Sequence, residues 1–463
     1  MKQKIQKELD AGRVAGPFVD QPFPNLQISP FGVVPKKVPG EFRLIHNLSF
    51  PENQSINDCI PREFCSVQYQ NIDYAVALIK RFGKGCLLSK TDLENAFRII
   101  PLSPVDFELM GFVINNQYFY DRTLPQGLSH SCFLFEIFST ALHWIAEHKL
   151  GIPGCAHILD GFLFVGPPNY QNCLANLNKF LDMAKALGVP IKSEKTVLPC
   201  TTISFVGIEV DSILMEKRLP SDKLEKIRIT LKSFQHKKKA TLLELQSLIG
   251  LLNFACSVVS PGRPFLRRLI DLTIGLRAPH HRRRLNKDAR ADLHAWSVFI
   301  EHFNGKSVFL PDQWLTSDVL NLHTDASNTG YGGYLNNEWF AGEWPETWKC
   351  FHITVKELYP IVLAVEIWAK YLQNQCIIFH TDNMACAHII NKLSSKESTL
   401  MILVRRLVVQ SLKYNIMFKA EYVPGIENDL SDKLSRQQVK EFLQIFPNKP
   451  PIRVDIPACS LTI

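Results

Sequence analysis

A lone carboxylate set between two apolar runs is the feature that most restricts what this chain can fold into. In Ala156-His157-Ile158-Leu159-Asp160-Gly161-Phe162-Leu163-Phe164-Val165-Gly166 the apolar residues on both sides call for burial, and Pro167-Pro168 closes the run. The stretch reads as two short strands folded back on each other with Asp160-Gly161 as the tight turn, because Asp-Gly between apolar runs is a strong hairpin signal. Such a turn can simply face water, or it can present Asp160 to a metal ion. The stretch alone favours the first use; the rest of the chain reverses the balance.

A chain of 463 residues has room for roughly two to four domains. Hydrophobic residues make up 46% and charged residues 21%, which suits folded cores and excludes wholesale disorder. The N-terminus, Met1 to Lys7, has no apolar segment of the secretory kind. No uninterrupted apolar run is long enough to cross a bilayer, since Leu245 to Val259 is broken by Gln246, Ser247 and Asn253, so no membrane partner is expected. The 12 cysteines are scattered singly with no Cys-x-x-Cys pair. That argues against a zinc site or disulfide scaffold and suits an intracellular, reducing setting, cytoplasm or nucleus.

Charge is distributed unevenly. Between Glu216 and Arg290 there are 18 Lys/Arg and 6 Asp/Glu, whereas the remainder holds 34 basic and 38 acidic residues. A solvated helix face is the bland account of any charge run. An excess this concentrated, beside acidic flanks, is what a polyanion-binding module between metal-dependent sites would show.

Gly32 to Lys37 and Glu41 to Ile45 read as two strands around a Pro39-Gly40 turn, a flap whose Lys36, Lys37 and Arg43 are either plain surface charges or a grip for phosphate. Asn71 to Phe82 has helical apolar spacing and stops at Gly83 to Gly85. Cys86 to Leu93 is a buried strand ending in Asp92, which either caps the next helix or, being costly to bury alone, binds a metal. Leu124-Pro125-Gln126-Gly127 leads into a helix from Cys132 to His148, and Gly127 would let backbone lie close to a flat ligand. The hairpin, a helix from Tyr170 to Leu187, the basic Lys192-Ser193-Glu194-Lys195 and a strand at Ile203 to Ile208 follow. Antiparallel pairing of the two Asp strands would bring both carboxylates to one edge, where they could hold two Mg²⁺ about 3.5–4 Å apart, the clamp used for in-line phosphoryl transfer.

Lys90-Thr91-Asp92-Leu93-Glu94-Asn95-Ala96-Phe97, Leu124-Pro125-Gln126-Gly127, Ile158-Leu159-Asp160-Gly161 and Phe205-Val206-Gly207 resemble successive motifs of a retroelement reverse transcriptase palm, over about residues 14 to 215. The wording around them, including Ala15-Gly16-Pro17-Phe18 and Phe97-Arg98-Ile99-Ile100-Pro101, is most similar to DIRS-like, tyrosine-recombinase retroelements. The resemblance implies that Asp92 and Asp160 are metal ligands and that Phe97 is the gate against a ribose 2′-OH. It implies further that Gln126 and Gly127 lie against the templating pair, and that Arg43 and Lys195 contact the incoming dNTP. The family ends its hairpin with two adjacent aspartates; the second is Gly161 here. The fold should survive that change, but fewer carboxylates hold two cations less well, so polymerisation is expected to be severely impaired.

The basic segment holds helices at Asp222 to Ser233 and Thr241 to Ser260, broken by Pro261-Gly262-Arg263-Pro264 and followed by Arg282-Arg283-Arg284. It fits a thumb-like helical region plus connection that grips a template–primer backbone. A localisation signal is a second use of its Arg or Lys run. The last third carries strands ending in Asp325 and Asp382, a long helix from Ile353 to Leu372 with Glu357 near its start, and a helix beginning around Asn428-Asp429-Leu430-Ser431-Asp432. Each acid has a simpler use: Glu357, Asp429 and Asp432 at helix starts, Asp382 as a cap. The order resembles the ribonuclease H fold over about residues 318 to 437. It implies that Asp325, Glu357, Asp382 and Asp432 hold the metal, with Asp429 competing for the last place. His323 and His380 read as strand residues rather than catalysts.

The expected fold class is therefore α/β (α+β): right-hand polymerase fingers and palm with a helical thumb, followed by a ribonuclease H-like domain. The expected division is fingers 1–85, palm 86–215, basic thumb and connection 216–315, ribonuclease H-like domain 316–440 and a tail 441–463. The resemblance implies RNA-directed DNA polymerase and ribonuclease H activities. Cofactors would be Mg²⁺, or Mn²⁺ in its place, two per active site. Partners would be an RNA template, a DNA primer, an RNA–DNA hybrid and dNTPs, with a recombinase or structural protein of the same element elsewhere, so that the chain reads as an excised or truncated enzymatic core. Two rivals are a non-catalytic nucleic-acid binder and an inactive element remnant.

Overall fold

The computed structural model describes residues 2–463 except 36–39, 41, 303–304, 394, 396, 425–428, 448–449, 458–460, 462 and 463, with the side chains at 260, 261, 302 and 429 also outside the description. Two units are present: Met1–Val206 with Val210–Met215, and Gly207–Glu209 with Glu216–Ile463.

At the centre of the first unit is a four-stranded antiparallel sheet in the order Cys155–Ile158, Gly161–Gly166, Leu87–Asp92, Val197–Cys200. Phe162, Leu163, Phe164 and Val165 are all buried, so this hairpin strand must be covered on both sides. The helix Tyr170–Ala186 supplies part of that cover. Asn169 caps it by accepting from the Asn172 backbone N–H, and Cys173, Leu177, Phe180 and Ala184 bury one stripe at helical spacing. The Phe180 ring centroid stands 4.7 Å from that of Phe162 and 5.0 Å from that of Phe164. Phe135 and Leu142 of the helix Ser131–His148 join the same core. Each such ring removed from water stabilises the unit by roughly 1.5–3 kcal/mol.

The unit also contains a three-stranded sheet of Val14–Phe18, Gln117–Asp121 and Gly111–Ile114 and a separate hairpin. The hairpin pairs Phe31–Pro35 with Phe42–His46, Val34 opposite Arg43, as the flap reading expects. Lys36 and Lys37 lie outside the described residues.

In the second unit the basic segment contains the helices Ser221–His236, Leu242–Ala255, Arg267–Asp271 and Lys287–His302. Thr241 and Glu244 close a reciprocal cap on the second of these. Arg282-Arg283-Arg284, without an assigned element in the sequence reading, is a strand paired with Lys239–Thr241. The remainder of the unit contains an antiparallel meander, Leu322–Ala326, Gly330–Leu335 and Glu338–Glu343, and parallel strands Trp314–Thr316, Cys376–Thr381 and Met417–Tyr422. The helix Ile353–Trp368 is buried continuously from Thr354 to Val365. Beside it, Arg406 of the helix Ser398–Tyr414 grips Glu366 bidentately at 2.9 and 2.7 Å.

Two boundaries differ from expectation. The strand starts at Leu322, because Ser317–Leu320 closes a helical turn capped by Thr316 and ended by Asn321 at φ +52°. Much of 441–463 is packed rather than trailing. Phe442 is fully buried with its ring 5.7 Å from those of Tyr334 and Trp339, and Ile452–Arg453 adds a parallel strand beside Glu338 and Trp339.

Asp292, on the helix Lys287–His302, is completely buried, with Arg405 Nε 3.2 Å and Arg268 Nη1 3.7 Å away. Burial pushes its carboxyl up to about 6 against the pull of both guanidinium groups. Removing Arg405 would leave the buried carboxylate with the more distant Arg268 alone. Arg405→Leu is therefore expected to cost roughly 3–5 kcal/mol in urea unfolding; an unchanged midpoint and slope would contradict this account of the cluster.

Candidate functional site

Asp92 ends its strand directly opposite Gly161, so antiparallel register alone places the two acid-bearing strand ends together. Asp92 is not a helix cap; the next helical turn, Ala96–Ile99, starts after Asn95. The hairpin forms, but its turn is one residue earlier than the sequence indicates. Ile158 pairs with Gly161, leaving Leu159 and Asp160 as the loop. Leu159 adopts φ +50°, a conformation that costs a non-glycine residue roughly 1–2 kcal/mol.

Glu136 compensates for this strain, and no local sequence signal announces it. Its Oε2 accepts from the Leu159 backbone N–H at 3.0 Å, while Oε1 lies 3.3 Å from His157 Nε2. His157 Nδ1 in turn meets His143 Nδ1 at 2.7 Å, and His143 Nε2 lies 3.3 Å from Glu147. Burial lowers the His143 pKa, favouring its neutral ring. A helix 23 residues away thus holds the turn that carries Asp160.

Arg43, Phe97, Gln126, Gly127, Asp160 and Lys195 line one cleft of about 700 Å³. Asp92 joins them through the ammonium group of Lys195, which contacts Asp92 Oδ2. All seven residues singled out for this site are therefore brought together. Burial and then the Asp92 carboxylate push the Asp160 carboxyl above its ordinary value, with Lys195 and Arg43 pulling the other way. The hydrogen bond to Asp92 raises the Lys195 pKa and keeps it a cation. Phe97 is anchored by an edge-to-face contact with Phe135 at 5.5 Å.

Gly127 has a structural reason to be glycine. Its φ is +135°, and a Cβ there would fall 1.8 Å from the His46 carbonyl oxygen. The close approach is to the flap strand, whose His46 N–H donates to Gln126 O at 2.9 Å. Gly127→Ala should destabilise the unit by roughly 1–3 kcal/mol through overpacking, measured as a lower melting temperature; an unchanged melt would refute this reading.

Gly161 differs. Its φ is not in the left-handed range, and a Cβ would meet Ile158 O at 3.7 Å, Asp92 Oδ1 at 3.8 Å and Phe205 Cε2 at 3.9 Å, ordinary contacts. The backbone accepts a side chain there, so turn geometry does not explain the glycine. The donor set is two carboxylates, one of them engaged by Lys195, which fits two cations poorly.

In the second unit Asp325, Glu357 and Asp382 present oxygens all within 4.8 Å of one another. Asp325 lies opposite Gly332 in the meander, Glu357 one turn into its buried helix, and Asp382 just past its strand. Asp382 does not cap the next helix; Asn383 does, accepting from Cys386 N–H at 3.0 Å. Asp325 and Glu357 are each 7% exposed. Burial, then Asp325 and Asp382, push Glu357 up to about 9; burial raises Asp325 to about 6 although Ser435 Oγ donates to it at 2.6 Å. Asp432 is outside the 4.8 Å group, held by Arg436 Nε at 2.8 and 3.0 Å, but its charge contributes to the Asp325 shift. Asn428 and the Asp429 side chain lie outside the described residues. His323 sits in a strand opposite Tyr334, and His380 stands 3.6 Å from Asp318. Three converging carboxylates, two of them buried, form the hard oxygen donor set that Mg²⁺ or Mn²⁺ takes. Ser435 and Arg436 are the polar partners that the sequence reading did not single out.

Residues 34–210 match the family of reverse transcriptases (RNA-dependent DNA polymerases), and this segment is a reverse transcriptase domain. The putative enzymatic polyprotein of Cassava vein mosaic virus is 22% identical over 381 residues, 78% of this chain and 54% of that polyprotein. Protein P of Duck hepatitis B virus (strain China) is 26% identical over 164 residues, 35% of this chain and 20% of that protein. The chain thus spans about half the first relative's length and a fifth of the second's. The foamy viral protease-reverse transcriptase dRH in complex with double-stranded DNA superposes with TM-score 0.55 at 19% identity, covering 91% of this chain and 69% of that one. The foamy viral protease-reverse transcriptase in complex with an RNA/DNA hybrid gives 0.52 at 18%, covering 91% and 53%. The shared fold is that of a polymerase, in keeping with the mixed α/β class. No helix among the described residues is long and apolar enough to cross a membrane.

Proposed function

We propose that the chain is the reverse transcriptase and ribonuclease H core of a DIRS-like retroelement, with a nuclease site in working order and a polymerase site short of one carboxylate. The proposed parts are fingers 1–85, palm 86–215, thumb and connection 216–315 and ribonuclease H-like domain 316–440, with the segment beyond packed onto the last. The observation that carries the reading is the Asp325–Glu357–Asp382 group, whose oxygens converge within 4.8 Å while two of the three are buried.

In the nuclease, Asp325, Glu357, Asp382 and Asp432 would hold two divalent cations. Such cations, when bound, supply a deprotonated water and neutralise charge developing on the scissile phosphate. Ser435 orients Asp325 by donating to Oδ2, and Arg436 restrains Asp432. In the polymerase, Asp92 and Asp160 are the remaining ligands, Arg43 and Lys195 would meet the triphosphate of a dNTP, and Phe97 would crowd a 2′-OH. Gln126 and Gly127 would support the templating pair.

The test is incubation of the purified chain with an RNA–DNA hybrid carrying labelled RNA, in Mg²⁺ and then Mn²⁺. Cleavage of the hybrid's RNA, with the same RNA intact when single-stranded, is expected. Uncut hybrid under both metals would overturn the nuclease reading and favour a nucleic-acid binder without catalysis.

A further inference from the structure

Five charged side chains of the first unit meet in series with alternating sign. Arg13 Nη1 lies 3.5 Å from Glu8 Oε1, and Glu8 Oε2 lies 3.0 Å from Arg98 Nε. Arg98 Nη1 is 2.7 Å from Asp121 Oδ1, and Asp121 Oδ2 is 2.9 Å from His46 Nδ1. His46 Nε2 ends the series 3.2 Å from Gly111 O. A carbonyl and a carboxylate only accept, so the ring bridges them with both nitrogens donating. Asp121 and His46 are each 1% exposed.

The members stand next to the residues proposed to meet a dNTP. His46 ends the strand Phe42–His46, which holds Arg43. Arg98 follows Phe97 in the turn Ala96–Ile99. Asp121 ends the strand Gln117–Asp121 and opens the loop to Gln126 and Gly127. Arg98 donates to Thr123 O of that loop at 3.2 Å, and the His46 N–H donates to Gln126 O at 2.9 Å. Lys4, on the Lys2–Asp10 helix that carries Glu8, donates to the Phe42 carbonyl beside Arg43. Glu8, His46, Arg98 and Asp121 line the same cleft as Arg43 and Phe97.

A buried ion pair adds little net stability, because desolvation offsets the attraction. Apolar side chains would fill this space as well for folding alone. What the charges add is direction, since a carboxylate with one oxygen for each partner fixes two elements at once. We propose that Asp121, with His46 and Arg98 on its two oxygens, is the positioning hub of the nucleotide cleft. The His46 arm sets the strand that carries Arg43, and the Arg98 arm sets the turn that carries Phe97. The inference rests on the polymerase reading of this cleft and adds residues that act through Arg43 and Phe97. Affinity for the triphosphate and discrimination against a 2′-OH then depend on separate arms of one carboxylate, where a shift of about 1 Å is enough to cost about 10²-fold.

The experiment reads nucleotide binding without turnover. The full chain is bound to a dideoxy-terminated primer on a DNA template with Mg²⁺, and survival of the complex in a heparin chase is followed as dATP or ATP is added opposite a template thymine. The starting protein should be held by dATP in preference to ATP. H46L/D121L replaces the buried pair by apolar groups and leaves Arg98 with Glu8, so its melting temperature should hold. Its dATP affinity should nevertheless fall by at least about tenfold, with primer–template binding unchanged in the absence of nucleotide. Arg98→Lys keeps the charge but loses the fork, and should narrow the dATP-to-ATP preference by more than it weakens dATP. If both variants bind dATP with the affinity and preference of the starting protein, the hub is overturned and the polymerase reading stands. If nucleotide binding falls only in step with the melt or with primer–template binding, the series merely supports the fold and the hub is again overturned. If neither nucleotide protects the starting protein, the polymerase reading of the cleft falls and the hub with it.

Discussion

Gly161→Asp should raise primer extension on an RNA template by on the order of 10²–10³-fold, the range by which one preorganised electrostatic group at a reacting phosphate changes rate. The site has room for it. Gly161 stands opposite Asp92 in register, its φ suits any residue, and the nearest atoms to a new Cβ lie 3.7 to 3.9 Å away. The new carboxylate would join Asp92 and Asp160 and complete a donor set of three. Without metal it should also push the Asp160 carboxyl further above its ordinary value, since one neighbouring carboxylate already raises it. The Asp variant is therefore expected to be less stable than the starting protein without metal and to gain more on adding Mg²⁺. Gly161→Asn, equal in size but uncharged, should extend primers no better than glycine. If Asn does as well as Asp, the gain comes from shape; if neither gains, the defect lies outside this position.

Glu357→Gln should abolish cleavage of the hybrid's RNA, with a loss of 10²-fold or more, as one of three converging ligands becomes a neutral amide. The same change should stabilise the metal-free protein near neutral pH. Glu357 titrates near 9 in the folded chain against an ordinary value of 4.5. A raised carboxyl pKa means the folded state holds its proton longer than the unfolded chain does. Its favourable contribution is complete below about pH 4.5 and is lost as pH climbs toward 9. Asp325, raised to about 6, adds a narrower window from 3.8 upward. Gln removes the larger of these losses, so its melting temperature should fall less between pH 5 and pH 9, a comparison on the order of the titration range itself. Mg²⁺ should raise the melt of the starting protein and leave that of the Gln variant nearly unmoved. A Gln variant that still cleaves would mean the acids are a structural cluster.

The apolar runs leading to Asp92 and Asp160 were legible because each stops at a carboxylate, a pattern that burial dictates. The position of the hairpin turn was not, because the Leu159 N–H is taken by Glu136 from another helix, and long-range capture overrides the local Asp-Gly signal. Close backbone approach is legible in Gly127 itself, whereas the structure shows that the backbone it admits there belongs to His46. The C-terminal segment read as a tail because Phe442 has no meaning until Tyr334 and Trp339 are folded beside it. Asp292 gave no sign of its burial between Arg268 and Arg405, since helical spacing alone does not say which helix face its neighbours cover.

The most direct measurement follows one RNA template, labelled along its length and annealed to a labelled DNA primer, with the unmodified chain, Mg²⁺ and dNTPs. Both strands are read from the same reaction. Shortening of the RNA within the hybrid is expected while the primer stays close to its starting length. A primer extended as far as the Gly161→Asp variant extends it, or RNA that stays intact, would contradict it.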